Sequence, residues 1–204
     1  MRLYYFWNDS HRILVDEFFL PTLREHNGHL AVFAMRLPDS STGVVRFGTR
    51  EFQQMMIKKA ELISDLISDN DEPFIVSDVD IQFFGSIQPE LDLALSAEKD
   101  VVFQIEPGGV NTGFMLIRPS KRVLGFWREV AKVLRNTSNQ FLNEQELVNQ
   151  KLRMIDYGRF GPRIWSWYMG RMKSDILLHH ANCASDAAEK VEQMNKVRRT
   201  LRAI

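Results

Sequence analysis

Short apolar runs at residues 3–6, 30–35, 74–77, 101–105 and 114–117 read as buried strands and alternate with longer segments in which apolar residues return about every 3.6 positions. In REFQQMMIKKAELISDLISD the stripe is Phe52, Met55, Met56, Ala60, Ile63, Leu66 and Ile67, with Thr49 placed as N-cap. Val123, Phe126, Trp127, Val130, Val133 and Leu134 make a second stripe, and Asn143 followed by Glu146 marks the start of a helix EQELVNQKL. Strands alternating with helices predict an α/β fold, a Rossmann-like layered domain with a mostly parallel central sheet flanked by helices. The 204 residues suit one domain spanning 1–204, with no repeat or linker to divide it.

Charge excludes one class of partner. Lys plus Arg and Asp plus Glu both total 26, so no net basic field draws the chain to nucleic acid. The single cysteine, Cys183, forbids an internal disulfide framework and fits a reducing compartment. No apolar run reaches the roughly 18–20 residues of a transmembrane helix, and MRLYYFW lacks the features of a signal peptide. The reading is a cytoplasmic protein, or one peripheral to a membrane. The tail AEKVEQMNKVRRTLRAI is expected as a basic, solvated helix at a truncated or docked C-terminus, with contact to a membrane surface or a partner as the lesser reading.

The stretch FIVSDVDIQFFG sets Asp78 and Asp80 between apolar runs, where an unpaired carboxylate is costly to desolvate. Ligands of α/β sheets gather at the carboxyl ends of strands, and Asp78 follows the run at 74–77 directly. Side chains two apart on an extended segment point the same way, so the two carboxylates can converge on one hard divalent cation. An EF-hand loop counted from Asp78 would need Gly where Phe83 stands and Glu where Pro89 stands, which excludes it. Two solvated aspartates in a turn, or the nucleophile of a haloacid-dehalogenase phosphatase, remain as alternatives. Gln82 departs from the phosphatase pattern.

Further along lie EPGGV, NTGFMLIRPS, NEQELVNQ and LLHHANC with Lys190 after it. In this order, from about residue 47 to 190, the chain resembles the nucleotide-diphospho-sugar transferase group of the GT-A glycosyltransferases. The resemblance rests on Asp-x-Asp, Asn-x-Gly-Phe, an acidic residue before Gln, His-Ala-Asn and a later Lys.

The resemblance implies a metal site of Asp78, Asp80 and His180, with His179 as rival ligand. Two carboxylates and an imidazole favour Mn²⁺, with Mg²⁺ the alternative. It implies Asn111 and Gly113 beside the donor sugar and Lys59, rather than Lys58, facing the nucleotide sugar. Lys190 becomes a phosphate contact. Glu144 and Gln145 stand for the family's Asp-Gln pair, and the longer acid leaves Glu144 open between sugar binding, base and helix-dipole roles. In YYFWNDS, Asn8, Asp9 and Ser10 are expected to bond the nucleotide base, with Phe6 or Trp7 stacking on it. Trp165, Trp167 and Tyr168 are candidates for stacking on an acceptor sugar or for the core. The function implied is hexosyl transfer from a UDP-sugar to a hydroxyl of a glycan or glycoprotein. A non-enzymatic glycan-binding protein is the third reading.

Overall fold

A computed structural model of the chain describes residues 1–39, 47–166, 174–182, 184 and 186–202. Strand β1 (Arg2–Trp7) leads into α1 (Arg12–Leu14), a π turn at Val15–Phe19, and α2 (Leu20–Asn27). Next come β2 (Ala31–Arg36), α3 (Arg50–Asp69), β3 (Phe74–Asp78), β4 (Ile81–Phe83), α4 (Gln88–Ser96), β5 (Val101–Glu106) and β6 (Gly109–Ile117). The chain continues with α5 (Lys121–Asn136), α6 (Glu144–Lys151), β7 (Tyr157–Arg159), β8 (Ile164–Ser166), β9 (Leu178–His180) and α7 (Ala187–Arg202).

The main sheet has the order β2-β1-β3-β6-β5-β7. β1 pairs in parallel with β2 and β3, and β5 with β7, while β6 runs against β3 and β5. The sheet is thus mostly parallel, as expected, with β6 reversed. β4, β9 and β8 form a small second sheet.

Both faces of the main sheet are covered, which explains its unbroken apolar runs. Tyr4, Phe6, Phe74, Val76, Phe103 and Met115 point into a core closed by α3 and α5, while their neighbours Leu3, Tyr5, Ile75, Val102 and Phe114 meet α2, α4 and β4. Phe126 and Trp127 of α5 are fully buried, each supplying about 1.5–3 kcal/mol of transfer free energy. The expected caps are present: Thr49 Oγ1 accepts from Phe52 N at 3.2 Å and Asn143 Oδ1 from Glu146 N at 2.8 Å.

One expectation is corrected. The run 30–35 is not a buried strand: β2 lies at the end of the sheet and exposes Val32 and Phe33. The basic tail forms the expected helix, docked along one face. Gln193, Met194 and Val197 of α7 are buried, and the Arg198 guanidinium lies 4.2 Å from the centroid of the Phe18 ring.

Candidate functional site

The site forms where β1, β3 and β5 end and β6 begins. Asp78 closes β3, Asp80 precedes β4, and His180 ends β9, which pairs with β4 so that Ile81 faces His180. One ligand atom from each of Asp78, Asp80 and His180 lies within 4.8 Å of the others. Successive residues of a strand face opposite ways. His180 therefore meets the aspartates, while the rival His179 turns to the other side, where Trp165 packs at 5.2 Å between centroids.

Hydrogen bonds fix the imidazole of His180. Gln104 Nε2 donates to Ile164 O at 3.5 Å, which turns Gln104 Oε1 toward His180 Nδ1 at 2.8 Å. That oxygen can only accept, so Nδ1 carries the hydrogen and Nε2 presents its lone pair. His180 Nε2 stands 3.2 Å from Asp80 Oδ1. Two acceptors at that distance repel unless a proton or a metal ion lies between them. The donor set and the tautomer fit a divalent transition ion.

Lysines answer much of the desolvation problem of the aspartates. Lys59 Nζ, almost fully buried on α3, is 2.7 Å from Asp78 Oδ1 and 3.0 Å from Glu144 Oε1. Lys190 Nζ, from α7, is 2.5 Å from Asp80 Oδ2. Burial alone would raise Asp80, but the Lys190 ammonium beside its second oxygen holds it well below the usual carboxylate range. Burial pushes Asp78 up, against the pull of Lys59, and the neighbouring Asp80 adds to the rise. Desolvation opposes the charge on Lys59, yet Asp78 and Glu144 outweigh it and raise its pKa. Burial pulls His179 down to about 3, so it sits neutral between Gln82 and Trp165.

These groups line a cleft of about 240 Å³. Lys59, Asp78, Asp80, Asn111, Glu144, Gln145, His180 and Lys190, expected at the site from sequence, all reach it. Gly113 does not line it. A Cβ there would fall 2.2 Å from His180 Cε1, so the close approach it permits is that of the imidazole. Gly113→Ala is therefore expected to push His180 aside and weaken Mn²⁺ binding at least about tenfold, measured by titration calorimetry. Unchanged affinity would remove His180 from the ligand set.

Asn8 and Asp9 are not cleft-lining residues either. Asn8 is fully buried, donates to Pro38 O at 3.3 Å, and accepts from Ser10 Oγ at 2.7 Å. Asp9 is exposed and pairs with Arg36 at 2.9 Å. The end of β1 brings Phe6 and Trp7 to the cleft, as expected, and the loop adds His11, which burial and the Lys190 charge hold down at about 4. Trp165 is buried against His179 and offers no face to an acceptor, and Trp167 and Tyr168, like Cys183, fall outside the described residues.

Sequence reasoning missed Gln104, Glu106 and Thr112. Thr112 Oγ1 donates to Glu144 Oε1 at 3.1 Å. Glu106 accepts from Gln145 Nε2 at 2.5 Å and from Asn182 Nδ2 at 3.1 Å. Its only signal was an acid at the end of a strand beside a Gly-rich turn.

Residues 13–194 match the family described as nucleotide-diphospho-sugar transferase. The chain belongs to that family. No curated protein sequence matches it. Solved structures share its fold. A glycosyltransferase involved in glycosylation of the major capsid of PBCV-1 superposes with a TM-score of 0.66 at 17% identity, covering 95% of this chain and 98% of the other. Galactosyltransferase LgtC, in complex with donor and acceptor sugar analogs, gives 0.62 at 12% identity, with 96% of each chain covered. GlyE of Streptococcus pneumoniae TIGR4 gives 0.62 at 13%, covering 98% of this chain and 64% of that one. This member of the nucleotide-diphospho-sugar transferase family thus has the α/β fold of the GT-A glycosyltransferases, and the family match displaces the phosphatase alternative. None of its described helices is long and apolar enough to cross a membrane.

Proposed function

We propose that the protein transfers a hexosyl group from a UDP-sugar to a hydroxyl of a glycan or glycoprotein, using a divalent ion. The observation that carries this reading is the convergence of Asp78, Asp80 and His180 Nε2 in a cleft flanked by two lysines, in a chain of this family. Mn²⁺ is the ion the imidazole favours, with Mg²⁺ the poorer fit. Bound there, it supplies positive charge against the departing diphosphate.

The rest of the work falls to side chains. Breaking the bond from anomeric carbon to phosphate builds negative charge on the diphosphate and positive charge on the sugar. Lys190 lies where it can neutralise the first. Lys59 holds Asp78 and Glu144 in place, so Glu144 acts here as a partner of Lys59 and Thr112 rather than as a base. Asn111 and Gln145 offer amides to sugar hydroxyls, and Trp7 with His11 forms the end of the cleft suited to the nucleotide base. The β5–β6 turn at Pro107–Gly108 follows directly on the cleft-lining Glu106 and is suited to limiting water. A single domain working in the cytosol, without nucleic acid, agrees with the lone cysteine and the balanced charge.

Calorimetry with UDP tests the reading. UDP with Mn²⁺ is expected to bind at least about tenfold more tightly than UDP alone, and the protein then to consume a UDP-sugar. Equal binding in chelator would refute the metal role. Sugar binding without any need for Asp78 or Asp80 would favour the glycan-binding reading.

A further inference from the structure

Glu106 is a carboxylate that the metal site does not use, and side chains from three separate segments meet on it. Gln145 from α6 and Asn182 just after β9 donate to its two oxygens, and Asn111 of β6 also hydrogen-bonds to it. The three donors belong to the Glu-Gln, His-Ala-Asn and Asn-x-Gly stretches of the sequence. No cation pairs with Glu106 among the described residues, and burial pushes its carboxyl up.

The amide of Gln145 is held at both ends by partners that leave no choice. Thr112 N–H, 3.4 Å away, can only donate, so Oε1 must face it; the Glu106 carboxylate can only accept, so Nε2 must face it. One N–H and one lone pair of Gln145 remain for the cleft, in a fixed order. Asn182 is oriented by the same rule. Its Nδ2 points to Glu106, the residue lines the cleft, and its buried Oδ1 has no hydrogen-bond partner among the described residues. A buried acceptor left unpaired is costly, and a ligand hydroxyl would satisfy it.

Resting on the transferase reading above, we propose that Glu106 is the positioning residue for sugar recognition. By accepting the amides of Gln145 and Asn182 it presents the outward N–H and lone pair of Gln145 to adjacent hydroxyls and the free Oδ1 of Asn182 to another. Glu106 thereby sets which hexose epimer the site accepts, because an epimer turns one hydroxyl away and leaves one of these groups unpaired. A site built to hydrogen-bond a hydroxyl rejects the analogue that misplaces it far more strongly than an apolar pocket does.

The test compares wild type, Glu106→Gln, and the exchange Glu106→Gln with Gln145→Glu, using UDP-glucose, UDP-galactose and UDP-N-acetylglucosamine with Mn²⁺. Glu106→Gln puts a donor where only acceptors stood, so Gln145 is free to flip. The ratio of kcat/KM between the best and the next sugar is expected to fall at least about tenfold, while calorimetric affinity for UDP with Mn²⁺ stays within about twofold. The exchanged pair restores the hydrogen bond between positions 106 and 145, and with it the melting temperature, but removes the outward N–H. Its selectivity is expected to stay lost.

A merely structural role predicts that the exchange restores selectivity together with stability, and that result would overturn the proposal. So would Glu106→Gln with wild-type selectivity. Wild-type protein that binds UDP with Mn²⁺ but consumes none of the three sugars would instead count against the transferase reading itself.

Discussion

Asp80→Asn is expected to lower Mn²⁺-dependent consumption of UDP-sugar at least about a hundredfold, measured as UDP release after chelation and resupply of metal. Asp80 faces His180 Nε2 with one oxygen and Lys190 Nζ with the other. Asparagine keeps the shape and one acceptor but removes the charge, so the ion loses a ligand and Lys190 loses the carboxylate that aims it. KM for the donor should rise and kcat fall, because on the proposed function the group acts in binding the diphosphate and in its departure. Full activity in the resupplied variant would dismiss the metal role of this residue.

Lys59→Met is expected to cost about 3–5 kcal/mol of folding stability, read from the guanidinium midpoint. The ammonium is buried between Asp78 and Glu144, and removing it leaves two carboxylates facing each other in a poorly hydrated wall. Adding Glu144→Gln should return much of the loss, since Thr112 Oγ1 can still donate to the new amide oxygen. Mn²⁺ should also stabilise the single variant more than the wild type, because the ion then supplies the missing positive charge near Asp78. A variant as stable as wild type would mean that the pair is not under the desolvation described above.

The sequence made the frame legible because a strand covered on both faces must be apolar throughout. The runs that became β1, β3, β5 and β6 stood out for that reason. β4, β7, β8 and β9 have three residues each, too few for any periodicity, and so passed unseen. β2 misled, since AVFAMR has the composition of a buried strand but occupies the end of the sheet. At the site, Asp78, Asp80 and His180 were legible through ordered motifs. Gln104 and Glu106 were not, because their roles arise only when β9 and α6 fold back onto β5. Asn8 and Asp9 were placed by proximity to β1, and a few residues of loop sufficed to send His11 to the cleft instead, beside the expected Phe6 and Trp7.

The reversal of β6 also decides what kind of rim the ligand meets. Strands that all point one way would bring only their finishing residues to that border, whereas the inverted one brings its opening residues there too, and Ser77 lies across from Phe114. Asn111 and Asp78 thus line the same cleft despite the stretch of chain between them. Glu106 pairs with Gly109 and Gln104 with Asn111 across a tight hairpin, so the register of that hairpin sets the gap between the carboxylate and the amide. An insertion at Pro107 or Gly108 that slipped this register by one residue would therefore retune the opening of the site.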